Sequence, residues 1–151
     1  MKRTRLNKKS KSPVAQAKDR IQALCRAIAI KRDGGCILEP YQGKDGIPYC
    51  NGYTRDGDLI LQFDHLHSRI NNISFGEPRL GVTVCKGHHT WKTFRAKEPY
   101  DELVRTIIGP ERCKLWDRVK KDTRPYHMTE YDWGNLELGL KQELADLTKT
   151  C

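Results

Sequence analysis

Long apolar runs, a leader peptide and acidic residues near the start are all missing or scarce in this chain of 151 residues. The longest apolar candidate, Ala23 to Ile30, is broken by Arg26 and falls well short of the roughly 20 residues a membrane-spanning helix needs. The basic start has neither the apolar core nor the small-residue cleavage site of a secretory signal. With 37% apolar and 31% charged residues, a soluble, cytoplasmic protein without a membrane partner is the expectation. The six cysteines, at 25, 36, 50, 85, 113 and 151, are too few and too irregularly spaced to staple a secreted domain. Metal ligation or plain burial is left for them. No internal repeat is present, and the length suits one domain with one modest core.

What is abundant is positive charge, and it is unevenly placed. Residues 1–32 carry eleven lysines and arginines against a single acid, Asp19, whereas residues 33–151 carry seventeen bases and eighteen acids. A nearly neutral body therefore bears a basic arm. Residues 1–11 hold Lys2, Arg3, Arg5, Lys8, Lys9 and Lys11 with almost nothing apolar, so they cannot order themselves alone. Such an arm either meets a polyanion, most often nucleic acid, or serves only as a solubilising tail.

The local patterns predict an α+β protein. Ser12-Pro13 reads as N-cap and first helical residue, Val14, Ala17, Ile21, Leu24 and Ile28 recur at helical spacing, and Gly34-Gly35 ends the run, which predicts a helix over 12–32. Glycines then punctuate short strand-like pieces across 36–63, with Asp58–Phe63 alternating as a strand. A loop over 67–79, a second strand through Leu80, Val82 and Val84, and a helix from Lys86 to about Ala96 follow. Residues 98–151 are expected to be helical: Asp101 caps a helix through Ile108, Gly109-Pro110 opens another, and Thr129 with Asp132 makes a capping-box start for a stripe of Trp133, Leu136, Leu140, Leu144 and Leu147.

The chemistry concentrates in Phe63-Asp64-His65-Leu66-His67 and Val84-Cys85-Lys86-Gly87-His88-His89. Cys85-x-x-His88 has the spacing that puts two soft ligands on one zinc ion; Cys36 and Cys50 are the thiols able to complete four, unless they are ordinary buried thiols. Asp64 and His89 can hold one divalent cation with positions left for water and phosphate, and His65 is placed to act as general base on that water. The alternative is a turn acid among surface histidines. His67 is a further candidate for metal binding or phosphate orientation.

The order Asp-His, loop, Cys-x-x-His-His resembles the HNH, or His-Me-finger, endonucleases, and its Asp64-His65-Leu66-His67 form is similar to the phage recombination endonuclease VII branch. The resemblance covers roughly residues 33–97. It implies a ββα-metal core, a divalent-metal-dependent DNA endonuclease using Mg²⁺ or Mn²⁺, a bracing Zn²⁺ knuckle, and a phage or prophage origin. It also implies the general-base role for His65, divalent-metal ligation by Asp64 and His89, and zinc ligation by Cys36, Cys50, Cys85 and His88; His67, beside them, is expected in a supporting catalytic role. The middle asparagine of the family has no clean counterpart here; Arg79 stands in its expected neighbourhood, and Asn71 and Asn72 are the substitutes at hand. DNA contacts are expected from the arm and from Arg69, Arg79, Lys86 and Lys92, with one face of the 86–97 helix presenting Lys86, His89, Thr93 and Lys97. The rival expectations are a zinc-braced DNA-binding accessory protein of recombination or packaging that does not cut, and an RNA-directed protein.

Overall fold

A computed structural model describes residues 11–67, 72–122 and 127–149, with backbone alone at 72 and 73. Helix α1 runs Pro13–Asp33. Ser12 caps it, its hydroxyl accepting from the Ala15 amide at 3.3 Å. Gly34 stops it: with φ of 71° it adopts the left-handed conformation in which its own N–H reaches back to the Ile30 carbonyl. Ala17, Ile21, Cys25, Ile28 and Ala29 form the buried stripe.

Two strands make an antiparallel pair: β1, Leu61–His65, and β2, Gly81–Cys85, with Leu61 opposite Cys85 and His65 opposite Gly81. The expected strand over 58–63 is therefore displaced toward the carboxyl side, and Leu59 instead makes an isolated bridge to Tyr53. The displacement places Asp64 and His65 inside the strand, where alternation sends them to opposite faces. Gly81 is required by this pairing, because a Cβ there would meet the Phe63 ring at 2.0 Å.

The loop expected over 67–79 holds a short helix, α2 (Asn72–Phe75), and a 3₁₀ turn at Pro78–Leu80. Helix α3 (Lys86–Phe94) starts directly from β2, and its N-cap is Cys85. Helix α4 spans Lys97–Ile108, so Asp101 is an interior residue and not its cap. The helix can begin ahead of Pro99 because a first-turn proline lacks only an N–H that no helical carbonyl would have taken. Helix α5 (Pro110–Lys121) opens after Gly109 as expected.

In helix α6 (Glu130–Lys149) the capping box is formed: Asp132 Oδ2 accepts from the Thr129 amide and hydroxyl at 2.8 Å each, and the hydroxyl accepts from the Asp132 amide at 3.2 Å. Among the described residues no helix is long and apolar enough to cross a membrane.

Two apolar clusters hold these elements. Val82 and Val84 share a cluster with Leu38 and Leu66, and with Tyr100, Val104, Trp116 and Val119 from α4 and α5. Ile21, Cys25 and Ile28 of α1 pack with Trp133 and Leu140 of α6 and with Phe63 and Phe75. Strand β2 is buried at every residue because it lies between the two. Polar bonds fix α1 to its end: Asp33 Oδ2 accepts from the Thr83 amide at 2.8 Å, and Arg32 donates to the carbonyls of Pro78 and Gly81.

Candidate metal centre and cleft

At the start of α3 three sulfurs and one imidazole meet. His88 Nδ1 lies 3.1 Å from Cys85 Sγ, 3.3 Å from Cys36 Sγ and 3.7 Å from Cys50 Sγ. All four ligand atoms fall within 4.8 Å of one another. The sequence separation of Cys36 and Cys50 is bridged by the fold: Leu38 anchors one end in the core, and the Cys50 amide donates to Gln42 Oε1 at 2.9 Å.

The other ring nitrogen of His88 lies 2.8 Å from the Pro48 carbonyl oxygen. A carbonyl only accepts, so Nε2 carries the hydrogen and the Nδ1 lone pair faces the sulfurs, the outer support usual for a metal-bound histidine. The Cys85 thiol is held below its ordinary pKa, first by the hydrogen bond from the Cys36 thiol and then by the His88 and Asn51 amides, against the opposing effect of burial. The Cys36 thiol, bonded to the Cys85 sulfur and buried, is pushed far up, and burial followed by the Cys85 charge pushes Cys50 up to about 11. Buried, converging soft donors of this kind form a Cys₃His cluster compatible with structural zinc. Cys25 lies apart in the α1–α6 core, and Cys113 on α5 reaches the Arg105 carbonyl.

One helical turn beyond, a cleft of about 690 Å³ is lined by Asp64, His65, His67, His89, Lys92, Lys97, Trp116 and Lys120 among others. Asp64 is 4% exposed and crowded with donors. Lys92 Nζ stands 2.8 and 3.0 Å from its two oxygens and 3.0 Å from the His65 carbonyl, the Tyr100 hydroxyl donates to Oδ2, and His89 Nε2 is 3.5 Å from Oδ1. Burial first, then the Asp64 charge, holds the Tyr100 hydroxyl well above its usual pKa, so it stays a donor. His65 points to the other face of β1, where its Nε2 is 2.9 Å from Gln22 Oε1 and its ring meets the edge of Phe63.

Of the residues expected to contact DNA, Lys2, Arg3, Arg5, Lys8, Lys9 and Arg69 lie outside the described residues, as does Asn71. Lys11 pairs with Asp19, and Arg79 with Glu77 at 2.7 Å. Lys86 is exposed on α3. Lys92, expected on a phosphate-facing surface, has a side chain only 13% exposed and directs its ammonium to Asp64. Gln22, Tyr100, Trp116 and Lys120 escaped sequence reasoning because each reaches the site from a distant element. Lys92 alone had a local signal, lying one helical turn after His88 and His89. The chain matches no family model, no curated protein and no solved structure.

Proposed function

We propose that this protein is a divalent-metal-dependent DNA endonuclease of the HNH type, with β1, β2 and α3 as its ββα-metal unit and zinc bracing the root of α3. The observation that carries this reading is that Asp64 and His89 meet at 3.5 Å in a cleft that His65, Lys97 and Lys120 also line, directly beside the Cys₃His cluster.

Asp64 and His89 offer the oxygen and imidazole donors that would hold a divalent ion, and the Lys92 ammonium seated on both Asp64 oxygens marks a place where the fold favours positive charge. When bound, Mg²⁺ or Mn²⁺ supplies charge that offsets the extra negative charge of the attacked phosphate and its leaving oxygen. His65 takes a proton from the water that attacks phosphorus, so hydrolysis needs no covalent intermediate. Lys97 and Lys120 draw the phosphate backbone to the cleft.

The Lys92 ammonium also favours a second reading. A carboxylate already neutralised by lysine suits a non-cutting, zinc-braced DNA-binding protein. Incubating the zinc-loaded protein with supercoiled, linear and four-way-junction DNA, with and without Mg²⁺ or Mn²⁺, separates the two. Cleavage that His65→Ala lowers by at least ~10²-fold, with zinc content and DNA binding retained, supports the nuclease. DNA binding without cleavage of any substrate by the wild type refutes it.

A further inference from the structure

We propose that Gln22, on α1, is a positioning residue for His65 that fixes its imidazole in the tautomer with hydrogen on Nε2 and the lone pair on Nδ1. This inference rests on the reading of His65 as general base. The amide of Gln22 is oriented from both sides. Its Nε2 donates to the Phe75 carbonyl at 2.8 Å, and its Oε1 lies 2.9 Å from His65 Nε2. Turning the amide over would set two carbonyl oxygens against each other, so the Phe75 carbonyl decides that oxygen faces the ring. An amide oxygen can only accept, which obliges His65 Nε2 to donate. The proton-accepting nitrogen of a neutral imidazole is then Nδ1.

The surrounding packing holds this arrangement in place. Phe63, two residues back on the same face of β1, sets its ring edge-on to His65 at 4.7 Å and 76°, which limits rotation of the imidazole. Arg26, one turn after Gln22, donates to the Leu61 carbonyl at 2.7 Å and ties α1 to β1. The same helix is clamped by Trp133 and Leu140 of α6 through Ile21, Cys25 and Ile28. A residue some forty positions upstream of the strand therefore controls the orientation of the base, and the working unit extends beyond the two strands and α3 to include α1.

The test is long-range ¹H–¹⁵N NMR of the His65 ring in the zinc-loaded full chain, together with single-turnover cleavage at saturating DNA. Wild type should show a protonated Nε2 and an unprotonated Nδ1. Gln22→Met, similar in length but without the acceptor, should give mixed tautomers and a cleavage rate roughly 10- to 100-fold lower, the scale for outer hydrogen-bond partners, with DNA affinity unchanged. Gln22→Glu keeps an acceptor toward the ring, although its second oxygen faces the Phe75 carbonyl, and should restore the hydrogen on Nε2 that Gln22→Met loses. A wild-type ring protonated on Nδ1, or a Gln22→Met protein identical to wild type in ring spectrum and rate, overturns the proposal. Failure of the wild type to cleave DNA overturns the nuclease reading instead, and the ring spectra still decide the role of Gln22.

Discussion

Removing zinc should cost this protein one region of its structure, not all of it. The segment 34–60 contains one 3₁₀ turn at Glu39–Tyr41 and the isolated Tyr53–Leu59 bridge, so backbone pairing alone holds it weakly. Its tether to the sheet is the Ile37 amide on the Thr83 carbonyl, together with buried Cys36 and Leu38. Two of the four ligands, Cys36 and Cys50, and the Pro48 carbonyl that orients a third, lie within it. With free zinc about 1,000-fold above its dissociation constant, binding to the folded state adds about 4 kcal/mol. For a domain of this size that corresponds to a fall in Tm of roughly 8–16 °C on chelation. Loading also displaces the protons that Cys36 and Cys50 hold firmly, so it should release acid and weaken as pH falls.

The assays are metal content by mass spectrometry, calorimetry with and without chelator, and amide exchange. Protection should fall across 34–60 and the first turn of α3 while α1 and α6 keep theirs, since their shared core contains no ligand. Cys85→Ala should bind no zinc and behave like the chelated protein, whereas Cys25→Ala should keep one zinc per chain. An unchanged Tm after complete chelation, or full zinc content in Cys85→Ala, would refute the assignment.

Two further outcomes test the packing. Thr83 is fully buried and its hydroxyl has no partner among the described residues, so Thr83→Val should stabilise the fold by about 1 kcal/mol, or roughly 2–4 °C in Tm; a lower Tm would mean the hydroxyl is satisfied. The Asp132 carboxyl is held below its ordinary pKa, first by the Thr129 amide and then by its hydroxyl. Its folded form binds a proton less readily than the unfolded chain, so the capping contribution is present at neutral pH and lost as pH falls through the acidic carboxylate range. Amide exchange at the start of α6 should accelerate there in wild type, and Asp132→Asn should remove that pH dependence.

Local chemistry made several elements legible in advance. The limits of α1 are set by Ser12-Pro13 and by Gly34, the only residue type that takes its positive φ without strain. The capping box of α6 and the Cys85-x-x-His88 turn are likewise short-range, because three residues of helix bring their partners together whatever the rest of the chain does. Asp101 misled for the same reason: it has the chemistry of a cap, but α4 begins at Lys97, with Tyr100 and Val104 buried in the core shared with β2 and α5.

What joins the sites could not be read that way. Cys36 and Cys50 reach Cys85 only because the chain between them folds onto the sheet. Lys92 and Tyr100 converge on Asp64 from two helices, and Gln22 meets His65 across the α1–β1 contact. Sequence periodicity records which face of an element is apolar. Which other element covers that face depends on burying both cores at once, and that choice decides what each polar side chain finds opposite it.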